Sequence, residues 1–111
     1  MNPEQLKAAL DAAEEKKGRD IVLLDLRGIS VVTDYFLIIT GNSTTQVKAI
    51  SDNLEKKLKD VGVKTLRVEG HNEAKWILID FGDLIVHVMQ EESRQFYNLE
   101  RLWGDAQVVQ L

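Results

Sequence analysis

The chain has 111 residues, a formal net charge of -4 at pH 7 and no cysteine, so it is sized for one domain and holds no disulfide, thiolate metal site or cysteine nucleophile. Its hydrophobic share of 44% against 29% charged is that of an ordinary globular protein, and its acidic balance opposes naked nucleic acid as the main partner and suits a basic protein. The N-terminus, MNPEQLKAAL, lacks the basic start and apolar core of a signal peptide, and no apolar run approaches the ~18 residues of a membrane span, so a cytoplasmic protein is expected.

Asn2-Pro3 reads as an N-cap followed by proline at the first helical position. Leu6, Ala9, Leu10 and Ala13 then keep helical spacing, and Gly18 offers a stop, which predicts a helix over about 3–17. Ile21 to Leu26 reads as a strand, and "YFLIIT", 35–40, as a second one rich in aromatic and β-branched residues. In "GNSTTQ", Ser43 with Gln46 three residues on fits a capping box. Val47, Ile50, Leu54, Leu58 and Val61 extend a helix over about 44–61 to Gly62. "TLRVEG" is a third strand, and "WILID" and "LIVHVMQ" form a hairpin around Phe-Gly-Asp. "ESRQFYNLERLWG" is expected as one last helix with Phe96, Leu99, Leu102 and Trp103 on its apolar face. The order predicts an α/β single domain over 1–106, a mixed, mainly five-stranded sheet with helices packed on it. A short tail, 107–111, follows. The second strand, the long helix and the third strand would form a right-handed parallel crossover.

Strand side chains alternate faces, and opposed hairpin residues share one. Whether the turn is Phe81-Gly82 or Gly82-Asp83, one face of "WILIDFGDLIVHVM" carries Ile77, Ile79, Leu84, Val86 and Val88, all aliphatic and therefore core. The other carries Trp76, Leu78, Asp80, Ile85, His87 and Met89. Two readings of this mixed face stay open: one covered by helices, with His87 and Asp80 satisfied inside, or a partly exposed docking surface, since Trp and Met favour interfaces.

Support for catalysis is thin. The two histidines, His71 and His87, have no ligand spacing, and His71 sits in the polar loop "EGHNEAK". "GNSTTQVK" lacks the second glycine and the Lys-Ser/Thr pair of a phosphate loop. Its strand-Gly-x-Ser-helix junction is similar to that of nucleotidyltransferases, but "SDNLEKK" offers no acidic-x-acidic pair on a strand to hold divalent metal.

"TDYFLIITGNS", "VEG", "WILIDFGDLIVHVM" and "ESRQFYNLERLWGDA" together resemble the RsfS/Iojap family of ribosomal silencing factors, from about Asp20 to Ala106 with no break in register. The resemblance implies a nucleotidyltransferase-like fold without catalytic function, cofactor or metal. It implies binding to the large ribosomal subunit through its ribosomal protein numbered fourteen, with minor ribosomal RNA contacts beside it. The bound domain would obstruct the small subunit and lower translation when nutrients are scarce. Carried onto this chain, the docking residues would be Trp76, Asp80, His87 and Met89, with Gln90, Ser93, Arg94 and Tyr97 at the start of the last helix. Trp76 and Tyr97 would be anchors, Arg94 a hydrogen-bonding clamp and Asp80 a charge partner, while Trp103 would be core. Two alternatives stand beside it: a metal-dependent nucleotidyltransferase, from the Gly-x-Ser junction, and a homodimeric interaction module, since an apolar sheet face or edge can pair with itself.

Overall fold

Asn2 opens the first helix with a full capping box: its side chain accepts the Gln5 N–H, and the Gln5 side chain accepts the Asn2 N–H. The computed structural model, which describes residues 1–110, runs α1 (Pro3–Glu15), β1 (Arg19–Asp25), β2 (Tyr35–Gly41), α2 (Thr44–Asp60), β3 (Arg67–Glu69), β4 (Trp76–Asp80), β5 (Leu84–Gln90), α3 (Glu91–Tyr97), α4 (Leu99–Leu102) and β6 (Gln107–Val108). Lys17, not Gly18, holds the left-handed position after α1, with φ 62°. The N–H groups of Lys17 and Gly18 bond back to Glu14 and Ala13. Gly18 is needed for a different reason, since a Cβ there would press against Ile39 of β2. At α2, Ser43 caps the Gln46 N–H as expected, but Gln46 reaches Asn42 rather than Ser43 and donates to the carbonyls of Lys16 and Lys17. One glutamine thus ties the start of α2 to the end of α1.

The sheet has six strands, one more than expected, in the order β3-β4-β5-β2-β1-β6. The extra strand is Gln107–Val108, two residues that pair with Asp25 and Leu24 and carry no strand pattern of their own. The expected tail is therefore partly sheet, and its last residue, Leu111, lies outside the described residues. β2 and β5 are parallel, while β4 is antiparallel to both β5 and β3. β3 therefore runs in the direction of β2 at three strand spacings, about 14 Å, and α2 bridges the two.

The hairpin adopts the register Leu78 opposite His87 and Trp76 opposite Met89, with Gly82-Asp83 as its turn. Gly82 has φ 91°, and the first position of a type II′ turn requires a positive φ. The alternation of faces holds without a bulge. Ile77, Ile79, Leu84, Val86 and Val88 join Leu37, Ile39 and the apolar sides of α1 and α2 in the main core. On the opposite face a smaller core gathers Leu24, Leu26, Ile38, Met89 and Leu99, flanked by Phe36, Trp76 and Trp103.

Candidate docking face

Helix α3 leaves the end of β5 at Gln90 and folds back over the mixed face. It opens at Glu91, one of the two glutamates that precede Ser93, and it does not continue as one helix. Asn98 takes the left-handed conformation, φ 45° and ψ 61°, and separates α3 from α4. Asparagine is among the few residues that visit this region at small cost. The break brings together two side chains six residues apart. Arg94 donates through Nε and Nη2 to both carboxylate oxygens of Glu100, at 3.1 and 3.2 Å, and through Nη1 to Thr40 Oγ1 of β2 at 2.9 Å.

This geometry divides the expected docking residues. Met89 is wholly buried, His87 is 3% exposed and Arg94 8% exposed, so these three lie under the surface. The clamp of Arg94 is internal: it fastens α3 to α4 and the sheet. Asp80 sits at the far end of β4 opposite Ile85, accepts the Gly82 N–H at 2.8 Å and lies 3.8 Å from Arg67, so it serves the turn. Gln90 donates its side chain to the Ala74 carbonyl at 3.0 Å. Trp76, Gln90 and Ser93 are half-buried, and Tyr97 is exposed. The mixed face is thus mostly covered, and what remains open lies along its rim.

Two residues assigned to the core of the last helix are not there. Phe96 is 80% exposed and Leu102 72% exposed, while Leu99 is buried. A continuous helix would place Phe96, Leu99 and Trp103 on one side, and the turn at Asn98 re-aims the two segments. Phe96 packs edge-on against Tyr97 at 5.0 Å, and Tyr97 lies against Trp76 at 4.6 Å. A groove of about 320 Å³, lined by Lys75, Gln90, Glu92, Ser93, Phe96 and Tyr97, runs on one side of this ridge. Another of about 560 Å³, bounded by Asn98, Arg101 and Leu102, runs on the other. A wider concavity, about 780 Å³, lies on the opposite layer beside Lys56, Lys59 and Lys64, and no expected site residue lines it. The Asn98 signal was present in the sequence only as one residue type tolerant of a positive φ.

Beneath the ridge, Trp76 Nε1–H donates to His87 Nδ1 at 3.0 Å. An indole nitrogen can only donate, so Nδ1 is bare and the neutral imidazole carries its proton on Nε2. That nitrogen is buried with no partner among the described residues, and burial pushes the imidazole pKa down to about 4. His71 instead pairs with Asp52 of α2 at 2.9 Å. Among the described residues, no three His, Asp or Glu side chains gather as a metal-holding group, and no helix is long and apolar enough to cross a membrane.

A family model described as "Ribosomal silencing factor during starvation" matches residues 1–111. The chain is 46% identical over 110 residues to the ribosomal silencing factor RsfS of Halalkalibacterium halodurans, covering 99% of this chain and 94% of that one. It is 33% identical over 92 residues to a mouse protein named mitochondrial assembly of ribosomal large subunit protein 1, covering 80% of this chain and 40% of that one. A crystal structure of a Chromobacterium violaceum protein superposes with a TM-score of 0.90 at 40% identity, covering 94% of this chain and 88% of that one.

Proposed function

The chain belongs to the ribosomal silencing factor family, and from that membership we propose that it is a translation repressor of the cytoplasm that works by docking on the large ribosomal subunit. The ridge of Phe96 and Tyr97 beside Trp76 is the observation that carries this reading. Aromatic side chains left in water at the rim of a packed face, with grooves on both sides, have the composition of an interface centre. The mouse relative's name points to the large subunit. The docking partner is the ribosomal protein numbered fourteen, with ribosomal RNA touched at the margin, and the net charge of -4 favours such a basic partner. The bound domain then stands where the small subunit must approach, and no reaction is needed. We also infer kinship with nucleotidyltransferase folds, supported by the strand-Gly-x-Ser-helix junction at 41–44, where Ser43 is now occupied as a helix cap.

Sedimentation of purified subunits tests this. Saturating protein is expected to leave separate subunits where joined particles otherwise form, with the protein travelling with the large subunit. Unchanged joining at saturation would remove the reading.

A further inference from the structure

A continuous chain of ring contacts runs from the surface into the second core. Phe96 meets Tyr97, Tyr97 meets Trp76 at 4.6 Å, Trp76 meets His87 at 5.7 Å, His87 meets Phe36 at 4.6 Å, and Phe36 meets Trp103 at 5.7 Å. Stacking contacts are soft in direction, and an indole held by them alone can slide or flip. One link is directional, the hydrogen bond from Trp76 Nε1 to His87 Nδ1. His87 is flanked in the sheet by Ile38 and Leu78, which offer no side-chain donor to compete for Nδ1.

Placing an imidazole here is costly. It is almost fully buried, and Nε2 has no hydrogen-bond partner among the described residues. Leucine would fill the space without burying a polar ring. The return lies in the hydrogen bond that Nδ1 accepts, and that bond comes from the docking tryptophan. We propose that His87 is a positioning residue for the docking face: its bare Nδ1 fixes the orientation of the Trp76 indole, which in turn seats Tyr97 and Phe96 before any partner arrives. Pre-set rings bind more tightly because less motion is lost on association. The proposal rests on the docking face described above.

The test compares the full chain with H87L, W76F, the combined variant and Y97A. Each is measured for affinity to purified large subunits, thermal midpoint and indole N–H resonances. The chain has two tryptophans, so the two indole signals can be told apart with W76F. H87L is expected to unfold cooperatively, to shift the Trp76 signal and speed its exchange, and to bind about tenfold more weakly. The combined variant should bind within about twofold of the weaker single one, because both substitutions cut the same link. Wild-type affinity of H87L alongside weakened Y97A would overturn the positioning role and leave the docking face standing. Multiplying losses in the combined variant would also overturn it. Unchanged affinity of Y97A would overturn the docking face and the proposal with it. Should H87L fail to fold, H87N decides: its Oδ1 occupies the place of Nδ1, so a retained Trp76 signal and affinity support the proposal and their loss ends it.

Discussion

His87 shows how one residue's surroundings decide its chemistry. In "LIVHVM" it shares a strand face with Asp80, yet it accepts its hydrogen bond from an indole, and Asp80 is engaged by the turn at the other end of the strand. Burial lowers the pKa of the folded imidazole from 6.5 to about 4. Between those values the unfolded chain takes up a proton that the folded chain refuses. The contribution to stability is therefore intact above pH 6.5, is lost as pH falls through this window, and amounts to about 3 kcal/mol at most. Urea unfolding of wild type and H87L at pH 7 and pH 4.5 should show a steeper loss for wild type, and parallel losses would contradict this. Strand parity made much of this legible: it separated five aliphatic residues from the mixed set in either register. It could not say that the mixed face would be roofed, because the roof comes from a distant segment.

That segment shows what is lost between residue and element. Periodicity described 92–104 as one helix, and a single left-handed Asn98 turned it into two. The choice is made by tertiary contacts. Arg94 satisfies Glu100 and Thr40 only if the chain bends between them. Removing the guanidinium leaves Glu100, whose side chain is 37% exposed, free to rehydrate. The cost is thus less than for a fully buried pair. R94A should lose about 2 kcal/mol in urea unfolding, and amide exchange in α3 and α4 should rise more than in β5. An unmoved midpoint would mean that the bend is held by Leu99 and Trp103 alone. β6 was invisible for a related reason. Two residues have no period, and their pairing with Leu24 and Asp25 becomes possible only once α4 has returned the chain to that edge.

At the scale of the molecule, the strands give the domain two ends with exposed apolar side chains. Trp76 lies beside Met89 where β5 finishes, under Tyr97 and Phe96. Val31 and Val32 are exposed in the loop that leads into β2, and β2 begins opposite Leu84, so they lie at the other end of the sheet. The first end carries the exposed aromatic rings Phe96 and Tyr97, which line a groove with Ser93 and another with Arg101. F96A should therefore weaken binding to the large subunit by about 1–2 kcal/mol, roughly five- to thirtyfold. Its stability should stay within ~0.5 kcal/mol, because the ring covers little in the free chain. Replacing Val31 and Val32 together by serine should change neither. Equal losses at both ends would mean that two surfaces grip the ribosome. The domain measures 34 × 32 × 23 Å, and if only the aromatic end matters, the rest of it is free to stand clear of the large subunit. On the proposed steric role, repression would then depend on bulk alone. The serine variant should block subunit joining as well as wild type does, and F96A should do so only at proportionally higher concentration.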